Sequence, residues 1–118
     1  MVNVLKNKLS SMDTVEFAYL FGSYARDDFT DSSDVDIAVF LQDTALDIRL
    51  QIIYELSKSL QKEIDLIVLN DIKNIFLLEN IFKDGIVIKE GEKRFEYEVM
   101  RQHDILDYKA FRKYIDAA

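Results

Sequence analysis

The stretch Gly22 to Phe40, GSYARDDFTDSSDVDIAVF, decides the reading of this chain. A Gly-Ser pair closes one apolar run, Glu16 to Phe21 (EFAYLF). Ten residues after Ser23, Asp34-Val35-Asp36 opens a second apolar run. Side chains alternate along a strand, so Asp34 and Asp36 are expected on one face, with backbones about 6–7 Å apart. Two carboxylates that close are costly unless something positive sits between them, and a divalent metal ion is the simplest candidate. Gly22 lets the backbone approach phosphate oxygens, and Ser23 with the amides of a following helical turn can hydrogen-bond them. Arg26, one turn on, can neutralise phosphate charge.

Outward from this stretch, the pattern alternates strands and helices. Val2, Leu5, Leu9 and Met12 have helical spacing, which predicts a leading helix over 2–12. Glu16 to Phe21 and Asp34 to Phe40 read as strands. In the second, Val35, Ile37 and Val39 share one face; Asp34, Asp36, Ala38 and Phe40 share the other. Ser23 can cap a short helical turn through Tyr24, Ala25 and Arg26, and Ser32 or Ser33 can satisfy the backbone before the second strand. Residues 44–62 carry Leu46, Leu50, Ile53, Leu56 and Leu60 at helical spacing, with Asp43 or Thr44 as N-cap. Glu63 to Leu69 (EIDLIVL) predicts a third strand, with Asp65 on the face of Ile67 and Leu69. Asp71 can cap a helix running to Lys83, stopped by Gly85. Ile86 to Ile88 reads as a short edge strand. After Gly91, residues 93–117 predict an amphipathic helix, interrupted near Asp104 to Asp107. The fold class is therefore α/β, a small mixed sheet covered by helices.

Composition bounds the function. The chain has 118 residues, 49% hydrophobic and 31% charged, which suits one folded domain. With no cysteine, disulfides and thiolate metal sites are excluded. No signal peptide precedes the first strand and no apolar run approaches the length of a membrane span, so a cytoplasmic protein is expected, without membrane contact. A net charge of -7 argues against a nucleic-acid partner, which needs a basic surface. It suits a small nucleotide carried in with its metal ion, a basic protein partner, or plain solubility.

Gly22-Ser23, ten intervening residues, Asp34-x-Asp36 and Asp65 in the third strand resemble the DNA polymerase β-type nucleotidyltransferase superfamily. The fuller runs G-S-Y-A-R and S-D-V-D-I-A-V are similar to its minimal nucleotidyltransferase branch, over roughly residues 15–90. The resemblance implies a palm-like fold and a single minimal domain over residues 1–118. Within the branch, the chain looks like the MntA-type antitoxins that pair with a HEPN-domain ribonuclease toxin. That likeness implies a protein adenylyltransferase that uses ATP and Mg²⁺ to place AMP on a tyrosine of the toxin and silence it. Asp34, Asp36 and Asp65 would then be catalytic and metal-binding, with Asp65 also able to deprotonate the acceptor hydroxyl. Gly22, Ser23 and Arg26 would bind the nucleotide. Asp27 departs from the pattern, since many relatives carry glycine there.

Two other readings remain open at this stage. One is AMP transfer to a small hydroxylated molecule, although such enzymes usually carry an extra acceptor domain. The other is an antitoxin that neutralises by binding alone. Homo- and hetero-oligomers are equally open. His103, the only histidine, reads as a surface or packing residue. It lies two residues from Arg101, too close to match the arginine and histidine of a HEPN ribonuclease. Phe95, Tyr97, Tyr108, Phe111 and Tyr114 make the last helix aromatic; core packing is the expected role, and a partner surface the alternative. Asp13, Asp28 and Asp31 read as ordinary loop acids.

Overall fold

A computed structural model describes residues 1–117. The elements run α1 (Val2–Ser10), β1 (Val15–Phe21), α2 (Ser23–Arg26), β2 (Val35–Leu41), α3 (Leu46–Leu60), β3 (Ile64–Val68), a 3₁₀ turn (Leu69–Asp71), α4 (Ile75–Asp84), β4 (Ile86–Lys89) and α5 (Arg94–Ala117). The four strands form one mixed sheet in the order β3-β2-β1-β4. β1 is antiparallel to both β2 and β4, while β2 and β3 are parallel. The parallel pair requires a crossover, and α3 supplies it.

Alternation along the strands splits the core in two. On one face, Val35, Ile37, Val39 and Leu41 of β2 pack with Leu5 and Leu9 of α1 and Ile52 and Leu56 of α3. On the other, Phe17, Tyr19 and Phe21 of β1 and Ala38 of β2 pack with Leu78 and Ile81 of α4 and Ile105 of α5. Fully burying one such side chain contributes roughly 1.5–3 kcal/mol. Asp36 and Asp65 belong to the second face, where Asp36 lies opposite Phe21 on one side and Asp65 on the other.

Several expectations need adjusting. Asp34 lies just before β2 rather than within it. Ala45, not Asp43 or Thr44, is the N-cap of α3; Asp43 Oδ1 instead accepts the Ala45 N–H at 2.9 Å. Asn74, not Asp71, caps α4, its side chain accepting the Leu77 N–H at 3.1 Å. The intervening residues are held by Asn70, whose amide bonds both the N–H and the C=O of Leu41, at 2.9 and 2.8 Å. α5 is continuous, with no break near Asp104. Its aromatic residues divide: Tyr97 packs against the core, but Phe95, Phe111 and Tyr114 are exposed. His103 is exposed, as expected. Among the described residues, no helix is long and apolar enough to cross a membrane.

Candidate active site

Where β1 ends, Gly22 takes φ 73° and ψ -154°, a conformation essentially closed to residues with a side chain. A Cβ added there would also overlap the Asp36 carboxylate. Two independent constraints therefore demand glycine, and one of them is an acid of the D-x-D pair. This contact joins the Gly-Ser loop to the carboxylate strand.

α2 follows at once. The Ala25 and Arg26 amides both donate to the Gly22 carbonyl, each at 3.1 Å. The amides of Ser23 and Tyr24 precede the first helical acceptor and point out of the turn. Ser23 is the first helical residue rather than the cap, and no side-chain bond closes the helix. Its hydroxyl is thus not spent on the backbone. Asp27 ends the turn in the left-handed conformation, φ 62° and ψ 34°, with its N–H donating to the Ser23 carbonyl. This position suits glycine, and aspartate is among the few other residues that adopt it readily. Arg26 borders the cleft, but its Nε pairs with Asp28 Oδ2 at 3.1 Å. Both partners are about half exposed, so the pair is weak and easily exchanged. Ser33 steadies the next loop by accepting the Thr30 N–H at 2.9 Å.

The carboxylates meet at the start of β2 and β3. Asp36 and Asp65 are in register on adjacent parallel strands, and Asp34 stands two residues before Asp36. The Asp36 carboxyl is pushed up to about 6, first by burial, then by the charge of Asp65 and a hydrogen bond to it, then by Asp34. Arg26 opposes this only as the smallest contribution. The site therefore carries more negative charge than its own cations offset. Among the described residues, no three acidic or histidine side chains converge as a ready set of metal ligands. Asp36 and Asp65 nevertheless fit a divalent cation: hard oxygen donors, in register, with the Asp36 carboxylate already destabilised by the charge of Asp65.

Gly22, Ser23, Arg26, Asp34 and Asp36 line one cleft of about 400 Å³. Asp65 stands beside it rather than in its lining. α4 closes the opposite wall with Leu77, Asn80 and Asp84. These three were not anticipated. Their spacing places them on one side of a helix, and Asn80 and Asp84 interrupt its apolar pattern. That interruption was the available signal. Its proximity to Asp36 follows only from how α4 lies on the sheet.

The fold and site can be set beside known proteins. The polymerase beta nucleotidyltransferase family model matches residues 3–94. A Methanocaldococcus jannaschii protein named as a candidate protein adenylyltransferase is 33% identical over 84 residues, covering 70% of this chain and 86% of the relative. Among solved structures, a chain of a toxin–antitoxin complex with AMP-PNP superposes with a TM-score of 0.80 at 24% identity, over 98% of this chain and 95% of that one. A chain of the Shewanella oneidensis complex of a tri-AMPylated HEPN toxin with MNT antitoxin gives 0.72 at 23% identity, over 99% and 97%. At these identities the superpositions establish a shared fold.

Proposed function

The chain belongs to the polymerase beta nucleotidyltransferase family, and from that premise we propose that it transfers AMP from ATP to a tyrosine of a HEPN toxin partner, silencing it as an antitoxin. The observation that carries this reading is the apposition of Gly22 and Asp36. It sets the Gly-Ser turn directly against a carboxylate in one cleft of about 400 Å³, the juxtaposition that a metal-bound triphosphate needs. The named relative and the complexes with AMP-PNP and an AMPylated toxin favour ATP and a protein acceptor over a small molecule.

Asp36 and Asp65 would hold Mg²⁺, with Asp34 of the same cleft as a further oxygen donor; the bound ion would neutralise phosphate charge and polarise the α-phosphate. The chain's own groups do the rest. Ser23 and the free amides of α2 bind the outer phosphates, and Gly22, lacking a Cβ, lets the turn lie against Asp36. Arg26 exchanges Asp28 for a phosphate oxygen. Asp65, at the open side, accepts the proton of the tyrosine hydroxyl. The phenolic oxygen then bonds to the α-phosphorus as the bond to pyrophosphate breaks. Such chemistry belongs where ATP and Mg²⁺ are abundant, the cytoplasm, and asks for no more than the single domain of residues 1–118.

The test incubates this chain with a HEPN-domain protein, ATP and Mg²⁺ and weighs the HEPN protein intact. The partner should gain one or more AMP units, and the gain should vanish without Mg²⁺. The double substitution Asp34→Asn with Asp36→Asn should lower the rate at least about 10³-fold while the circular dichroism spectrum is unchanged. Transfer at the normal rate by that variant would refute the site. Full neutralisation of the toxin without transfer would point to binding alone.

A further inference from the structure

We infer that the exposed edge of β3 docks the acceptor: an extended polypeptide segment adds to the sheet as a further strand and carries its hydroxyl to Asp65. This deepens the reading above and rests on it.

Among the described residues, β3 has β2 on one side and no strand on the other. The Val35 N–H donates to the Glu63 carbonyl at 2.9 Å, which sets the phase of the parallel ladder. Peptide groups at 63, 65 and 67 therefore face β2, and those of Ile64, Leu66 and Val68 face outward. Proteins normally blunt such an edge with lysine, proline or a bulge. β3 reads Ile-Asp-Leu-Ile-Val, and its register against β2 is regular throughout. An edge with its donors, acceptors and apolar side chains available is a template for strand addition.

Beside this edge runs a groove of about 410 Å³, whose apolar lining includes Leu46, Leu50 and Ile53 of α3, Leu66 and Val68 of β3, and Leu77 of α4. Leu46 and Leu50 are 62% and 55% exposed, an unusual cost for a helix face with nothing against it. Arg49 lines the same groove, and its Nε is buried without a hydrogen-bond partner. A backbone carbonyl of a docked segment would satisfy it.

The occupant follows from continuity and charge. Leu77 lines both this groove and the catalytic cleft, so the two share a wall. Asp65 is the second residue of β3, so a strand laid along β3 ends where a side chain meets the proposed base. A second copy of this chain is disfavoured, because each carries a net charge of -7. An acceptor segment with apolar residues at alternate positions fits the groove, whose charged lining is Arg49, Asp71 and Lys73, and a basic partner body fits the overall field.

The test compares wild type with Leu50→Lys, an exposed position outside the catalytic machinery, in AMP transfer to the HEPN-domain protein that wild type modifies. KM for the protein acceptor should rise at least about tenfold, with kcat and AMP-PNP affinity unchanged and recovery in Leu50→Met. An unchanged KM would overturn the docking site while leaving the proposed reaction intact. Absence of transfer by wild type would overturn the reaction and the docking site with it. Dimerisation of wild type that Leu50→Lys abolishes would assign the groove to a second copy and overturn the inference.

Discussion

On one face of the sheet, Phe17, Phe40 and Tyr97 pack at one end with ring centroids 5.1 to 5.5 Å apart, while Asp36 and Asp65 stand side by side at the other. The aromatic end is complete: rings stack or meet at a tilt, and the Tyr97 hydroxyl donates to the Leu69 carbonyl at 2.8 Å. The acidic end is incomplete, with a carboxyl pushed up to about 6 by burial and like charge. Both ends draw on β2, which carries Asp36 at one end and Phe40 at the other. What separates them is whether the residues present satisfy one another. The finished end anchors the sheet to α5; the unfinished end needs something from outside.

The largest expected effect lies at the finished end. Phe17 is fully buried between β2 and α5, so Phe17→Ala should cost about 3–5 kcal/mol by chemical denaturation. That loss should fall on stability alone. In whatever fraction remains folded, nucleotide affinity should match wild type. A selective loss of nucleotide binding at full stability would mean that the two ends are coupled and the contrast is false.

Gly22→Ala comes next and strikes the boundary between core and site. The backbone conformation costs a non-glycine residue on the order of 1–3 kcal/mol, and the new methyl must displace the Asp36 carboxylate. Here stability and transfer should fall together, with activity lost even at temperatures where the variant is folded. Retention of normal transfer would break the claim that loop and carboxylate share one site.

Much of the acidic end was legible in the sequence because it depends on short-range geometry. The alternation that sets Asp36 and Asp65 on one face is a property of the strand itself. The constraint on Gly22 was readable as a need for backbone freedom, though not as contact with Asp36. What stayed hidden depends on pairing across the chain. Asn80 and Asp84 reach the cleft only because α4 crosses the end of the sheet. α4 itself starts late because the Asn70 side chain continues the sheet pairing of Leu41, drawing Leu69–Asp71 into a 3₁₀ turn where a helix start was expected. The aromatic spacing of α5 read as core, yet only its first part lies on the sheet, and Phe111 and Tyr114 project into solvent. Periodicity reports that a helix has an apolar side. It does not report how far along the helix a partner extends.

The smallest effect has the opposite sign and tests the incompleteness directly. The Asp36 carboxyl is raised from 3.8 to about 6. A group whose folded pKa is raised favours the folded state while protonated, and that contribution is lost as pH climbs through the folded value. Asp36 therefore destabilises the protein above about pH 6 and is harmless below about pH 4. Asp36→Asn removes the charge and keeps the shape. It should raise stability at pH 8 by on the order of 1–2 kcal/mol after solvent screening, a Tm gain on the order of 5 °C. The gain should vanish at pH 4. In wild type, Mg²⁺ should supply a similar stabilisation at pH 8 and little below pH 5, because the cation competes with the proton for one carboxylate. Differential scanning calorimetry across pH, with and without Mg²⁺, reads both. A variant less stable than wild type at pH 8 would mean that Asp36 is already satisfied, and that the acidic end is as complete as the aromatic one.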